Sequence, residues 1–301
     1  MMVLKIIAVV LLMLLLFYVG LHAFYAYKVI NPKKSKNPKT PADYDMKYVD
    51  FETRTKNGLT IRGWYMVHET GAKGILILSH NVGANKGKML QYAKFLYTAG
   101  YHIVLYDLHS HGESDHERLE FRTVSKSQND LLAVIDKVKQ ETWYQNSNQK
   151  IGLMGFSLGT INTVGVYGMM PEIKLAITDC GPFAELNETF YRTLKRTVPK
   201  YKIIWRPLFN LFIKIWLFDS YDEYMSQAIK GMASRPLFVI HGQKDFIILP
   251  EQSKSIYDKI QSDKKEYWLV PGSYHLTAYN LYKKEYEEKV LSFLEKYMGN
   301  N

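Results

Sequence analysis

The chain of 301 residues is 47% hydrophobic and carries a formal net charge of +10. These values exclude a disordered chain and leave room for one large α/β domain with an appendage. The one cysteine, Cys180, excludes an internal disulfide and is interpreted as a small buried thiol rather than a nucleophile. A basic chain suits nucleic acid, anionic membranes or acidic ligands, but no helix-turn-helix, zinc-finger or RNP-like motif is present. We therefore expect no nucleic-acid partner.

The first element in the chain is an almost wholly apolar segment, residues 6–26. As a helix it would be about 32 Å long, which matches the hydrocarbon core of a bilayer. The segment is longer than the apolar core of a signal peptide, and no clear small-x-small cleavage site follows it. It therefore predicts a single transmembrane helix, with a cleaved signal peptide or a buried helix as the alternatives.

A linker rich in lysine and proline, residues 27–46, follows the apolar segment and is predicted to be stiff and solvated. Only Lys5 and the α-amine precede the segment. The positive-inside rule then favours a cell-membrane protein with its main domain in the cytoplasm, although a polybasic patch on anionic lipid is the alternative. The lysines on the C-terminal side of the segment are Lys28, Lys33, Lys34, Lys36 and Lys39.

From residue 47 to the end, short apolar runs alternate with amphipathic segments. This alternation predicts an α/β fold, with a mostly parallel sheet that is covered by helices on both faces. Asn57-Gly58 between two β-rich runs indicates a hairpin. The predicted strands are 48–55, 59–67, 74–78, 102–106, 151–154, 173–178, 237–240 and 265–270, and the predicted helices are 86–99, 127–138, 160–167, 251–260 and 284–297.

The alternation breaks between residues 185 and 226, a segment dense in aromatic and basic residues. One face of a single helix cannot bury so many aromatic side chains in a small core. We interpret the segment as a helical cap inserted into the α/β domain. Its aromatics either line a pocket for acyl chains or only cover the site, and its basic residues suit anionic lipid.

The motif that carries chemistry is Gly155-Phe156-Ser157-Leu158-Gly159. It lies between an apolar run that predicts a strand and a segment that predicts a helix, which is the context of a nucleophile elbow. The sharp turn leaves little space beside the serine, which explains the two glycines. The alternative is a glycine-lined turn that merely packs closely.

With these features the chain resembles serine hydrolases of the α/β-hydrolase superfamily over roughly residues 47–297. It is similar in layout to membrane-anchored bacterial members of the esterase and lipase type. The segments that carry the resemblance are the Ser157 elbow, Ser79-His80-Asn81-Val82-Gly83, residues 107–114, His241-Gly242-Gln243-Lys244-Asp245 and Gly272-Ser273-Tyr274-His275.

A serine hydroxyl needs a general base within hydrogen-bond reach, and the base needs an acid to fix its tautomer. Among nine histidines, only His275 follows the last predicted strand at its carboxyl end, where ligand sites gather. Asp245 and Asp179 both follow strand ends and both satisfy the order Ser, Asp, His. The spacing from Gly242 to Asp245 resembles the acid turn of the superfamily, which favours Asp245.

An oxyanion hole needs two backbone donors. The first is expected to be the N–H of Leu158, directly after the nucleophile. The resemblance implies that the second comes from the loop after residue 78, at Val82 or secondarily at Asn81. Asn81 stands where related enzymes often carry glycine, and asparagine tolerates a positive φ, so we expect the loop to keep its shape.

These features predict a hydrolase of carboxylic esters, including lipid or acyl esters, that works through an acyl-enzyme. A peptidase or thioesterase on the same fold is one alternative, and an inactive membrane-tethered binding protein is another. No phosphate-binding glycine loop is present, so no nucleotide cofactor is expected. No metal is expected either, because His109, His111, His116 and Asp115 are interpreted as part of a polar loop after a strand.

Overall fold

A computed structural model describes residues 1–31, 35, 38–69, 71–117, 123–145, 150–198, 201–217 and 221–299. Parts of the predicted linker (32–34 and 36–37) and of the predicted cap (199–200 and 218–220) lie outside the described residues. Within the described residues the chain forms one eight-stranded sheet in the order β1-β2-β4-β3-β5-β6-β7-β8. The strands are β1 (Val49–Arg54), β2 (Thr60–Met66), β3 (Ile75–Ser79), β4 (His102–Tyr106), β5 (Ile151–Phe156), β6 (Leu175–Asp179), β7 (Leu237–Gly242) and β8 (Lys265–Val270).

The sheet is mostly parallel, as the alternation in the sequence predicts. Only the pairs β1–β2 and β2–β4 are antiparallel, and β1 and β2 form the predicted hairpin. From β4 through β3, β5, β6 and β7 to β8, every pair is parallel. All six of these strands therefore present their carboxyl ends at one edge of the sheet, where a site can form.

Helices cover both faces of the sheet. In chain order, the helices of the described residues are α1 (Met2–Ile30), α2 (Leu90–Thr98), α3 (Thr123–Gln140), α4 (Thr142–Gln145), α5 (Leu158–Met169), α6 (Leu186–Thr197), α7 (Arg206–Leu217), α8 (Tyr221–Gly231), α9 (Pro250–Lys259), α10 (Ala278–Leu281) and α11 (Lys283–Met298). Helix α1 packs on α6 and α7. Short 3-10 helices span Pro41–Tyr44, Lys86–Met89 and Tyr201–Ile203.

Strand β3 shows why its sequence is apolar throughout. Ile75 and Ile77 point into the core beneath α3, α5 and α8, whereas Leu76 and Leu78 point into the core beneath α2 and α11. Side chains alternate across a strand, so a strand with a core on each face must be apolar at every position. The two cores together hold the sheet between its helical layers.

The cap consists of α6, α7 and α8 between β6 and β7, where the sequence predicts an insertion. Helix α8 packs directly on α5 through Ala228, which lies against Gly168. Helices α6 and α7 form a separate apolar cluster with the last turns of α1. The predicted transmembrane helix is thus a continuous helix, long and apolar enough to cross a membrane, whose end contacts the cap.

The structure adds elements that the sequence does not predict. The segment predicted as one helix over 86–99 is divided into a 3-10 turn and α2. Pro41 and Met46 lie in the predicted linker but are buried against the domain, and the Tyr44 carbonyl accepts a hydrogen bond from Lys94 Nζ at 2.7 Å. The 3-10 turn at Pro41–Tyr44 therefore belongs to the packed structure rather than to a solvated linker.

Candidate active site

Ser157 occupies the sharp turn between β5 and α5. Its backbone angles are φ 50° and ψ −116°, a combination that L-residues rarely adopt. The Ser157 N–H donates to the carbonyl oxygen of Asp179 at 2.9 Å, which ties the turn to the end of β6. The side chain is 6% exposed and lies at the carboxyl edge of the parallel strands.

The two glycines of the motif are required because backbone and side chains approach them closely. A Cβ on Gly155 would lie 2.4 Å from Thr163 Oγ1 and 2.6 Å from the Gly159 carbonyl oxygen. A Cβ on Gly159 would lie 2.2 Å from the Ser79 carbonyl oxygen. The start of α5 is therefore packed directly against the backbone at the end of β3, which brings the elbow next to the loop that follows β3.

The three predicted catalytic side chains lie in one hydrogen-bonded chain. His275 Nε2 is 2.9 Å from Ser157 Oγ, and His275 Nδ1 is 2.7 Å from Asp245 Oδ2. Since Nδ1 donates its proton to the carboxylate, Nε2 is free to accept the serine hydroxyl. His275 lies in the loop after β8, and Asp245 lies in the loop after β7.

Asp245 is a buried carboxylate with an unusually complete set of donors. Oδ1 accepts the backbone N–H groups of Ile247 at 2.9 Å and Ile248 at 3.1 Å, and Oδ2 also lies 3.3 Å from His241 Nε2. Burial alone would raise the pKa of the Asp245 carboxyl, but the N–H donors of His241 and His275 hold it well below its usual value. The carboxylate therefore stays ionised near neutral pH.

Asp179, the rival acid, makes a different contact. Its Oδ2 accepts the hydroxyl of Tyr286 at 2.9 Å, and its Oδ1 has no partner within the described residues. Burial raises the pKa of the Asp179 carboxyl above its ordinary value, despite the hydrogen bond from Tyr286. The structure thus brings Asp245, and not Asp179, to the Nδ1 atom of His275.

The loop after β3 carries the other predicted donor. Among the described residues, no acceptor contacts the N–H of Leu158 or of Val82, whereas the Gly83 N–H donates to His111 Nε2 at 3.0 Å. The positive φ in this loop, 73°, belongs to Gly83 and not to Asn81. The expectation that Asn81 would supply a positive φ is therefore wrong, because the tight turn falls two residues later, where a glycine stands.

Two histidines hold this loop to the segment after β4. His80 Nε2 accepts the Leu108 N–H at 3.1 Å, and its Nδ1 donates to the Asn81 carbonyl oxygen at 2.8 Å. Burial lowers the pKa of His80, so the ring is neutral and can accept at one nitrogen. His111 Nδ1 donates to the His109 carbonyl oxygen at 2.9 Å, which leaves Nε2 to hold Gly83. Both rings are structural.

A buried ion pair between Lys86 and Asp107 connects the segment after this loop to the end of β4. Lys86 Nζ lies 2.7 Å from Asp107 Oδ2 and also contacts the Glu113 carboxylate. Asp107 further accepts the backbone N–H of Lys86 at 2.7 Å and that of Glu113 at 2.9 Å. This network gives the turn at residues 107–114 a structural role.

A small cavity of about 280 Å³ opens beside the elbow. Phe156 and Leu276, the neighbours of Ser157 and His275 in the chain, both line it. The remaining lining is Ser35, Asn81, Val82, Gly83, Ala84, Lys88, Met89, Gln91 and Tyr92. The cavity is therefore largely apolar and contains one cationic side chain.

In the described part of the chain, one group of potential metal ligands has donor atoms within 4.8 Å of one another: Cys180, Asp245 and His275. Asp245 and His275 already hydrogen bond to each other. Burial and the nearby carboxylates raise the pKa of the Cys180 thiol well above its usual value, and its sulfur accepts the Leu276 N–H at 3.2 Å. These groups do not offer a metal a set of free, deprotonated ligands.

Sequence reasoning missed the contributions of His241 and His111. His241 lies on β7, four residues before Asp245, and its Nε2 donates to the Ile248 carbonyl oxygen at 2.9 Å. It thereby closes the turn that carries the carboxylate. The order His-Gly-x-x-Asp places His241 close to Asp245 in the chain. The sequence alone does not show that the turn brings the two side chains together.

The eight-stranded sheet, the strained serine elbow and the cap define an α/β hydrolase, and in the broad sense a serine hydrolase. A sequence profile of the prolyl oligopeptidase family matches residues 89–301, more than half of the chain. The chain therefore belongs to the prolyl oligopeptidase family.

Individual relatives are distant. The uncharacterized protein YqkD of Bacillus subtilis is 24% identical over 255 residues, which cover 83% of this chain and 80% of YqkD. The esterase Pf2001 of Pyrococcus furiosus superposes with a TM-score of 0.73 at 23% identity, over 90% of this chain and 98% of that enzyme. The α/β hydrolase GrgF from Penicillium sp. sh18 gives a TM-score of 0.65 at 18% identity, over 84% and 99% of the two chains. At these identities the superpositions establish the fold alone.

Proposed function

We propose that the protein hydrolyses carboxylic esters, with Ser157 as nucleophile, His275 as general base and Asp245 as the acid that orients His275. One observation carries the proposal: the unbroken chain of hydrogen bonds from Ser157 Oγ to the Asp245 carboxylate, 2.9 Å and 2.7 Å long. Such a chain lets the imidazole accept the serine proton as the hydroxyl attacks.

In the proposed reaction, Ser157 Oγ attacks the ester carbonyl while His275 Nε2 takes its proton. The carbonyl oxygen becomes an oxyanion that the N–H groups of Leu158 and Val82 stabilise. The C–O bond to the alcohol then breaks, and the alcohol leaves with the proton from His275. Water, activated by the same imidazole, attacks the acyl-enzyme and releases the acid and free Ser157.

The apolar cavity beside the elbow favours an acyl substrate. Val82, Met89, Phe156 and Leu276 provide apolar surface, and the described lining contains no carboxylate that could pair with a peptide amino terminus. Membership of the prolyl oligopeptidase family favours a second candidate, hydrolysis of peptide bonds at the same serine. Hydrolysis of thioesters at the same serine is a further alternative.

The proposal extends to location. We infer that α1 anchors the protein in the cell membrane as a single span, because residues 6–26 are almost wholly apolar and residues 1–18 are exposed. The lysines that follow α1 favour a cytoplasmic catalytic domain. We therefore propose lipid or acyl esters of that membrane as the substrates.

Kinetics on matched substrates test the proposal. Acyl esters from acetyl to long chains, the corresponding thioesters and peptide amides should be compared on wild type, Ser157→Ala and His275→Ala. We expect ester hydrolysis that falls by about a million-fold in Ser157→Ala. Faster cleavage of peptides than of esters would favour the peptidase, and activity that survives in Ser157→Ala would refute the assignment of the nucleophile.

A further inference from the structure

Helix α1 and the cap share an apolar core. Buried side chains near the end of α1 (Ala26, Val29 and Ile30) pack against buried side chains of the cap. The cap members of this cluster are Leu194, Val198, Ile204, Phe209 and Ile213. The cap is therefore attached to the end of the anchor helix, and the two form one structural unit.

His22 fixes the height of the cap along α1. The ring is fully buried, its Nδ1 donates to the Tyr18 carbonyl oxygen at 2.7 Å, and its Nε2 accepts the Trp205 N–H at 2.7 Å. A polar side chain within a membrane helix is expensive unless its hydrogen bonds are satisfied, and here the cap supplies one partner. Trp205 thus lies level with His22.

The position of His22 can be related to the bilayer. Lys5 marks one polar boundary of the apolar segment, and a hydrocarbon core about 30 Å thick takes about 20 helical residues, which ends near Tyr25. His22 lies three residues, or about 5 Å, before that point. Trp205 therefore lies at the boundary between hydrocarbon and headgroups, where tryptophan concentrates in membrane proteins.

The cap exposes large apolar side chains in this region. Ile203 and Trp205 are 49% and 59% exposed, and on α7 Leu211 and Ile215 are 51% and 45% exposed. Exposed cations, Lys202, Arg206 and Lys214, are interleaved with them. An exposed apolar surface with interleaved cations is typical of a segment that lies in the interfacial layer of an anionic bilayer.

We propose that the cap lies in the interfacial layer of the membrane, packed against the end of the anchor helix α1. We call this arrangement the collar. The side chains of Ile203, Trp205, Leu211 and Ile215 insert into the leaflet that α1 leaves, and Lys202 and Lys214 contact anionic headgroups. The placement of the cap on the membrane rests on the proposed anchor and not on catalysis, whereas the substrate class inferred below rests on the proposed hydrolase activity.

The seated cap also reaches the candidate active site. The Arg196 guanidinium of α6 lies over the Phe246 ring at 5.4 Å, and that ring lies 6.3 Å from Tyr274. Phe246 and Tyr274 directly follow Asp245 and directly precede His275. These contacts join helix α6 of the cap to the rim of the site. A cap that lies on the bilayer would therefore favour acyl esters dissolved in that bilayer as substrates of the proposed hydrolase.

Depth measurements on the full-length protein test the collar. The chain would be reconstituted in vesicles of phosphatidylcholine and phosphatidylglycerol, with a fluorophore on a single introduced cysteine at Ile203, Trp205 or Leu211. Lipids with a nitroxide near the headgroup quench fluorophores in the interfacial layer. Met169 is a matched control, because it is apolar, 55% exposed and at the end of α5 opposite the elbow. Unsubstituted protein, whose native Cys180 is buried, gives the background.

We expect quenching at 203, 205 and 211 to exceed that at 169 several-fold, and to fall in a Lys202→Glu/Lys214→Glu variant but not in Lys259→Glu. Equal quenching at all four positions would overturn the collar. If quenching is the same in the Lys202→Glu/Lys214→Glu variant as in the wild type, Lys202 and Lys214 do not contact anionic headgroups, and the proposal is wrong. Fluorophosphonate labelling of the same vesicles reports the catalytic proposal separately.

Discussion

The Tyr286 hydroxyl donates a hydrogen bond to the Asp179 carboxylate at 2.9 Å. This contact separates two aspartates that the sequence leaves as alternatives for one role. Asp179 is held by a tyrosine of α11, whereas Asp245 is held by the imidazole of His275. Only the second arrangement can fix the tautomer of a base that faces Ser157.

Replacement of Asp245 should therefore lower the activity far more than replacement of Asp179. Asp245→Asn removes the anion that stabilises the imidazolium and should lower kcat by roughly 10⁴-fold, as in other serine triads. Asp179→Asn, the matched control, should stay within about tenfold of wild type, because Asp179 hydrogen bonds to Tyr286 and not to His275, and the loss of one hydrogen bond costs only about 1 kcal/mol. Steady-state ester hydrolysis measures both. A larger loss in Asp179→Asn than in Asp245→Asn would reverse the assignment.

The same Asp179 carboxyl predicts a pH dependence of stability. Burial raises its pKa above the ordinary value of 3.8. A group of this kind contributes its full stability below the unfolded pKa and loses that contribution as pH rises through the folded pKa. Because asparagine cannot ionise, the unfolding temperature of Asp179→Asn relative to wild type should increase from about pH 4 towards neutral pH. A difference that stays constant or shrinks over this range would contradict the account.

His241 is predicted to be a positioning residue for Asp245. His241→Leu removes an N–H that faces both the Asp245 carboxylate and the Ile248 carbonyl oxygen. A hydrogen bond to a charged group contributes about 1.5–3 kcal/mol, so kcat should fall by roughly 10- to 100-fold. His241→Gln retains an amide donor and should recover part of that loss.

A purely structural role for His241 would give a different pattern. The two variants should then lose thermal stability in proportion to activity, and glutamine should not restore kcat in folded protein. Circular dichroism and the pH profile of kcat/KM, measured on the same preparations, distinguish these outcomes.

The elbow glycine gives a stability prediction. In Gly159→Ala the new methyl group would lie 2.2 Å from the Ser79 carbonyl oxygen, so helix α5 and the loop after β3 must separate. Overpacking of this kind costs about 1–3 kcal/mol, and the separation should also reduce ester hydrolysis. Gly71→Ala is the control, since no atom lies within 4 Å of its added Cβ. Equal unfolding free energies for the two variants would contradict the packing argument.

Much of the fold follows from local patterns. The buried strands are continuous apolar runs because both faces are covered, and the G-x-S-x-G motif marks the elbow because only glycine fits beside it. The place of His275 after the last strand predicts that it lies near Ser157, since carboxyl ends of parallel strands converge, and its Nε2 lies 2.9 Å from Ser157 Oγ. These inferences depend on periodicity and chain order, which a sequence displays directly.

The remaining features depend on contacts between distant segments. The hydrogen bond from the Trp205 N–H to His22 joins residues that are 183 positions apart, and no local pattern in either segment predicts it. The role of His111 likewise requires the position of the Gly83 N–H, and the choice between Asp179 and Asp245 requires Tyr286 from the last helix. Long-range hydrogen bonds of this kind leave no periodic trace in a sequence.

In the proposed mechanism, His275 makes Ser157 nucleophilic. The most direct measurement is the site of covalent modification by a fluorophosphonate, determined by mass spectrometry of peptides from the full-length protein in vesicles. We predict a single adduct on Ser157 in the wild type, none in Ser157→Ala, and a strongly slowed reaction in His275→Ala. An adduct on another residue, or equal modification of wild type and Ser157→Ala, would contradict the claim.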